Sequence, residues 1–353
     1  MEPEHVSPWG VVLLAFGEPE GTDPAGVVEF LERIFLANRR LERGSGARRA
    51  RQLAEARAPA LLETYREIGG SPMSAHTRGH AQALEAELEA RGHAAHVFVG
   101  TQFATPTIQD ALERCREAGV ERLVALPLYP ISGPTTTLAA LASVRGEIEQ
   151  MSWSVNTSFI GGWHRHPDYV ELRADAVRSL MSGRGLDPND PGVTLYFSAH
   201  GTPISYLEEG SRYEEYVEDS CRSIADAVGM AEYALGYQNH ANRGVEWTEP
   251  SNEALVATLD ANDVVVVPVS FIHEQSETLD ELDLQLRKRV EARGIGFHRV
   301  QTPFEHSAMA GVLADLALEA LAGREDGLMT SCMCQNVEWG FCAASRAHTG
   351  AVS

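Results

Sequence analysis

His200 closes the apolar run Leu195-Tyr196-Phe197-Ser198-Ala199 and is followed by the turn residues Gly201-Thr202-Pro203. An imidazole placed there projects from the end of a buried strand into a cleft, and its charge changes near neutral pH. The turn also brings backbone within reach of a bulky ligand. The structural alternative is a ring tied to a loop carbonyl. The second chemistry-bearing stretch, Phe271 to Asp283, holds five carboxylates and His273 within thirteen residues, directly after the apolar run Val264–Val269. Helical spacing puts Glu277 and Glu281 on one face with Glu274, with Leu279 and Leu282 turned inward. That face is an acidic ladder leading away from a strand end. A solvated helix whose acids favour the positive end of its dipole is the plainer alternative. Zinc-hydrolase chemistry lacks its motif, because no His-Glu-x-x-His is present. No glycine-rich phosphate cradle follows a candidate strand, and Gly69-Gly70-Ser71-Pro72 precedes no strand–helix nucleotide unit.

These residues need strands and helices to hold them. Val11–Phe16, Val97–Val99, Leu123–Leu128, Val193–Ala199 and Val264–Val269 are short apolar runs ending in turn residues. Amphipathic stretches over 77–91, 108–118, 213–227 and 277–292 alternate with them, as in parallel sheets covered on both faces. Two pairs of runs resemble one another. Leu14 to Pro19 matches Phe197 to Pro203, and Val124 to Tyr129 with Thr137-Leu138 matches Val265 to Ser270 with Thr278-Leu279. The spacings imply roughly 43 extra residues in the first half, assigned to Thr22–Arg66 as a helical lip. Convergence between unrelated parallel halves would give a similar pattern. Either way Gly17, Tyr129, His200 and Phe271 fall at carboxyl ends of strands, where open parallel sheets bind ligands. The expected organisation is an α/β enzyme with a first half over 1–165 carrying the lip at about 22–66, a second half over 166–325, an active-site cleft between them, and a tail over 326–353.

With 353 residues, 44% of them hydrophobic, the chain is long enough for two cores. A net charge of −21 disfavours a nucleic-acid partner. No signal peptide or apolar stretch of spanning length is expected, which favours the cytoplasm. Five cysteines, an odd number, argue against a disulfide framework, and Cys332, Cys334 and Cys342 crowd into the last 22 residues.

The ordered motifs resemble the ferrochelatase family. They are Leu14 to Pro19; Tyr65-Arg66-Glu67-Ile68-Gly69-Gly70-Ser71-Pro72 with Thr77; Pro106-Thr107-Ile108; Leu126 to Pro130 with Thr135-Thr136-Thr137; Trp163-His164-Arg165-His166-Pro167; Phe197 to Pro203; Tyr237-Gln238 through Trp247 to Pro250; and Phe271 to Asp283. The resemblance implies two Rossmann-like halves with parallel sheets, a porphyrin held between lip and strand ends, and ferrous iron inserted in haem biosynthesis. The porphyrin would be protoporphyrin IX or coproporphyrin III. It further implies His200 as the base for the pyrrole protons, Glu277 as the metal-side carboxylate and Glu281 as its continuation, these three handling the metal. Phe271, Trp247, Gln102, Tyr129 and Gln275 would line the porphyrin.

Some positions depart from the family pattern. Gln275 stands where a histidine is usual two residues before the acid, with His273 two residues earlier. Gln102 and Phe103 replace polar or basic and tyrosyl residues, and the Tyr237–Trp247 loop, with His240 and Arg243, is about one residue longer. These changes leave room for a chelatase of another metal or a haem-handling paralogue without catalysis. The resemblance also implies a 2Fe–2S cluster on Cys332, Cys334 and Cys342, with Cys115, Cys221 or a non-cysteine group as fourth ligand; free thiols are the alternative. A monomer and a homodimer are both compatible with the sequence.

Overall fold

The structure is a computed structural model that describes residues 8–38, 46–240 and 244–323. Among these residues the continuous apolar runs form parallel strands: β1 (Trp9–Ala15), β2 (His96–Thr101), β3 (Arg122–Pro127), β4 (Asn156–Phe159), β5 (Val193–His200), β6 (Ala234–Gln238), β7 (Asp263–Pro268) and β8 (Gly296–Arg299). They make two four-stranded sheets, ordered β2-β1-β3-β4 and β6-β5-β7-β8. The central strands β1, β3, β5 and β7 and the edge strand β2 are the ones legible as apolar runs. The edge strands β4, β6 and β8 are short and mixed in polarity, as expected where burial is incomplete.

Two compact units carry these sheets. One comprises 8–17, 77–166 and 305–323 of the described chain, and the other comprises 18–38, 46–76, 167–240 and 244–304. In the first unit Leu112, Cys115, Leu123, Leu141 and Val144 form part of the core against β1 and β3. The helix Ile108–Glu117 starts on a reciprocal cap: Thr107 Oγ accepts from the Asp110 amide, and Asp110 accepts from the Thr107 amide. Gly17 follows β1 with φ +83°, and a Cβ there would lie 2.7 Å from the Thr101 Cβ, so this turn requires glycine.

In the second unit the helices Pro24–Ala37 and Ala47–Ile68 pack on each other, covering much of the stretch expected as a lip. The two sheets share a detail at the ends of β3 and β7. Both close on a proline, which has no amide hydrogen, and the next residue restores the ladder: Leu128 N–H donates to Leu14 O, and Val269 N–H to Ser198 O. Beyond each proline comes a π-helical segment, Pro134–Leu138 in the first unit and Glu277–Leu286 in the second. The second runs straight into the α-helix Arg287–Glu291. The sequence spacing predicts an α-helix over 277–292, so the first ten residues are a correction. Wider helices of this kind are rare and concentrate at functional sites.

Candidate active site

β5 delivers His200 as its last residue, half-buried, with its backbone held on both sides. Its N–H donates to Ser270 Oγ at 3.0 Å and its carbonyl accepts from the Tyr213 hydroxyl at 3.0 Å. The ring Nδ1 lies 2.7 Å from Gly201 O. A carbonyl cannot donate, so Nδ1 carries the hydrogen and the neutral ring keeps its lone pair on Nε2. The ring is therefore tied to a loop carbonyl and still has a proton acceptor directed elsewhere. Around it stand His240 at 5.3 Å, Phe271 at 6.2 Å and Trp247 at 6.4 Å between ring centroids. The Trp247 Nε1–H is buried with no acceptor among the described residues. At Gly201 a Cβ would sit 1.8 Å from Asn239 Oδ1, so the glycine makes room for Asn239.

The acidic stretch divides into two groups that spacing alone placed on one face. Glu274 turns into the protein, 6% exposed, where Oε1 accepts from Arg299 Nη1 at 2.9 Å and from the Thr302 amide at 2.9 Å. Arg299 also grips Asp283 with Nε and Nη2, both at 2.7 Å. Burial pushes the Glu274 carboxyl upward, but Arg299 and the Thr302 amide outweigh it and hold it below the ordinary value. Thus Glu274 belongs to the support and not to a ladder with Glu277. Arg173, fully buried, adds bonds to the Pro268 and Gln301 carbonyls.

Glu277 and Glu281 remain together. Gln238, which pairs with His200 in the β5–β6 register, donates through Nε2 to the Glu277 carbonyl and to Glu281 Oε2, both at 2.9 Å. That one buried amide ties the histidine strand end to both acids. Sequence reasoning did not single it out as a site residue, although it stands at the end of its strand. Gln275 donates from Nε2 to Glu277 Oε2 at 3.0 Å, so it holds the acid and carries no proton for it. His273 is buried with its ring stacked 6.4 Å from that of His76.

A further carboxylate joins them. Glu18, 4% exposed, lies 2.5 Å from Ser276 Oγ, which in turn lies 3.0 Å from Glu277 Oε2. Burial and then the Glu277 charge push Glu18 up to about 7, and burial raises Glu277 as well. One serine hydroxyl has one proton, so both contacts are hydrogen bonds only when one of the two carboxyls is protonated. Glu281 is raised from 4.5 to about 8 by burial first and Glu277 second, with Gln238 opposing.

A raised carboxyl pKa means the folded state binds the proton more tightly. Its stabilising contribution is complete below the unfolded value and declines as pH climbs towards about 8. Glu281→Gln is therefore expected to raise Tm by a few degrees at pH 9 and by less at pH 5. Melting curves at the two pH values check this; an equal shift at both would count against a raised Glu281.

In the first unit Tyr129 donates to Gln102 Oε1 at 2.7 Å, and Gln102 Nε2 donates to Thr135 O at 3.2 Å. Their polar groups are engaged with each other and with the π-helical segment, leaving ring and methylene surface for other contacts.

The ferrochelatase family model matches residues 8–321, which takes in nearly all of the described part of both units and every residue placed at the site. The chain belongs to the ferrochelatase family. Relatives named ferrochelatase include one from Geobacter sp. (strain M21), 31% identical over 88% of this chain and 98% of its own. Another, from Trichodesmium erythraeum, is 34% identical over 73% of this chain and 68% of its own. Among solved structures, SirB from Bacillus subtilis with Fe3+ covers 91% of this chain and 99% of its own, at TM-score 0.57 and 11% identity. That likeness concerns the fold: a two-domain chelatase architecture of parallel sheets.

The described cysteines do not suit an iron–sulfur cluster. Cys115 and Cys221 are both fully buried, and burial pushes the Cys115 thiol up to about 12 and the Cys221 thiol well above its ordinary value. A cluster ligand is a thiolate, which these environments disfavour. Cys332, Cys334 and Cys342 lie outside the described residues. No group of three or more His, Cys, Asp or Glu poised around a metal occurs among the described residues. None of the described helices is long and apolar enough to cross a membrane.

Proposed function

We propose that this protein inserts ferrous iron into a porphyrin, protoporphyrin IX or coproporphyrin III, in haem biosynthesis. The observation that carries this reading is the family match across residues 8–321. Insertion exchanges two pyrrole N–H protons for one Fe2+, so the protein must accept protons, deliver a dication and hold a flat apolar ring. His200 is assigned the first task, because a ring fixed through Nδ1 on Gly201 O, with the hydrogen on that nitrogen, has Nε2 as its basic atom. Glu277 is assigned the metal side and Glu281 the continuing path. As protonated or proton-sharing carboxyls they take up a cation by releasing protons, which couples metal arrival to proton departure. Phe271 and Trp247 supply aromatic surface to the macrocycle, joined in this assignment by Gln275, Gln102 and Tyr129.

Cytoplasmic location belongs to the same reading, supported by the free thiols of Cys115 and Cys221. A 2Fe–2S cluster on Cys332, Cys334 and Cys342 would need a fourth ligand other than these two. No step of the insertion chemistry above runs through it.

Anaerobic incubation of the purified protein with Fe2+ and each porphyrin tests the activity. Loss of free-base absorption with growth of the metalloporphyrin spectrum is expected for at least one of them. Folded protein that metallates neither overturns the proposal. Competition with Co2+ and Ni2+ in the same assay assigns the metal.

A further inference from the structure

We infer that Glu18 is a positioning residue for Glu277, acting through Ser276. The inference rests on the assignment of Glu277 to the reaction. Glu18 immediately follows the Gly17 turn, and four donors converge on its two oxygens. Tyr65 OH at 3.2 Å and Ser276 Oγ at 2.5 Å reach Oε1. Ser71 Oγ and the Ser276 amide, the latter at 3.3 Å, reach Oε2. The Glu18 carbonyl is held as well, accepting from Ser74 Oγ at 3.2 Å. A carboxylate gripped in this way is itself immobile, and it grips Ser276 twice, by backbone and by side chain.

Ser276 is the residue that precedes Glu277 at the start of the π-helical segment. Its Oγ stands 3.0 Å from Glu277 Oε2, and Gln275 Nε2 stands 3.0 Å from the same oxygen. The direction of the Glu277 carboxyl is thus set by two neighbours, one of which is fixed by Glu18. Without Glu18, Ser276 Oγ can rotate and turn its hydrogen to Glu277, and the backbone that launches the acid loses its amide anchor. Displacements on the order of 1 Å can cost up to about a hundredfold in rate when the displaced group must meet a reacting atom. A purely structural Glu18 would instead bind the Tyr65 helix and the Ser71–Ser74 turn to the segment without influencing what Glu277 does.

A double-mutant cycle separates the two. Glu18→Gln keeps the shape and offers one acceptor oxygen where four donors converge, so it breaks the grip on one side. Insertion rates, KM for Fe2+ and for porphyrin, and Tm are measured for Glu18→Gln, Ser276→Ala, Glu277→Gln, and each of the first two combined with Glu277→Gln. Expected are a roughly tenfold lower kcat for Glu18→Gln and for Ser276→Ala, with the porphyrin KM within about twofold of the parent. In the Glu277→Gln background neither change should slow the enzyme further. Wild-type kcat in both single variants, or losses that multiply in the double variants, overturns the inference. Should Glu18→Gln fail to fold, the Ser276→Ala pair decides by the same criteria. Full activity of Glu277→Gln alone would instead remove the assignment of Glu277, and the inference with it.

Discussion

His200→Ala is expected to reduce iron insertion by about 10²- to 10⁴-fold while leaving porphyrin binding within a few-fold of the parent. The size follows from what the substitution removes. The only group lost is the imidazole, whose Nδ1 is committed to Gly201 O and whose Nε2 is the basic atom proposed to take the pyrrole proton. The surroundings survive, because the bonds to Ser270 and Tyr213 use the His200 backbone. Phe271 and Trp247, the aromatic surface assigned to the macrocycle, approach His200 only edge-on or tilted at more than 6 Å, so neither depends on it for support. Stopped-flow absorption under anaerobic conditions gives the rate, and quenching of porphyrin fluorescence gives the affinity. A variant that metallates at the parent rate would show that the base lies elsewhere, with His240 the next ring to test. A variant that loses porphyrin binding to the same extent would make His200 a binding group.

Much of this arrangement is readable in the sequence because its central strands are continuous apolar runs. Val264-Val265-Val266-Val267 admits little but a buried strand, and a histidine at the end of such a strand has few places to point. The resemblance between Leu14–Pro19 and Phe197–Pro203 also follows from chemistry, since β1 and β5 occupy the same place in equivalent sheets. What stays hidden is long-range or backbone-dependent. Glu274 shares helical spacing with Glu277, but its partner Arg299 comes 25 residues later on an edge strand of mixed polarity, and no local rule pairs them. The π-helical backbone changes which acids adjoin, and residue spacing does not report it. Glu18 gave one usable signal: an acid at the end of a buried strand, in the turn matching the one after His200. Its partners Ser71 and Ser276 lie 53 and 258 residues away, so its role is legible only once the chain is folded.

The largest stability loss is expected at Arg299. Its side chain is 7% exposed and forms bonds to two carboxylates, Glu274 at 8% and Asp283 at 23% side-chain exposure. Replacing such a pair with apolar residues is often neutral, whereas removing one partner leaves an uncompensated charge and costs about 3–5 kcal/mol. Arg299→Ala is the second case, because it strips the only cation bonded to the buried Glu274 carboxylate among the described residues. Lysine would not restore it, since the two parallel bonds to Asp283 need the planar guanidinium fork. The pH dependence follows from the same contact. Glu274 is held below its ordinary value in the native protein, so the stability it contributes is present above that value and fades as pH falls through its lowered pKa. Without Arg299, burial is opposed only by the bonds from Thr302 and Thr278, so the carboxyl rises and holds its proton more tightly. The Tm deficit of Arg299→Ala should accordingly be greater at pH 8 than at pH 5, and Arg299→Ala/Glu274→Gln should recover part of it at pH 8. Differential scanning calorimetry at both pH values measures this, and a deficit independent of pH and of Glu274 would refute the clamp. Because Glu274 and Asp283 lie on either side of Glu277 and Glu281 in the chain, insertion by Arg299→Ala should also fall at temperatures well below its Tm. The acids would then be present and correctly charged but no longer held in register.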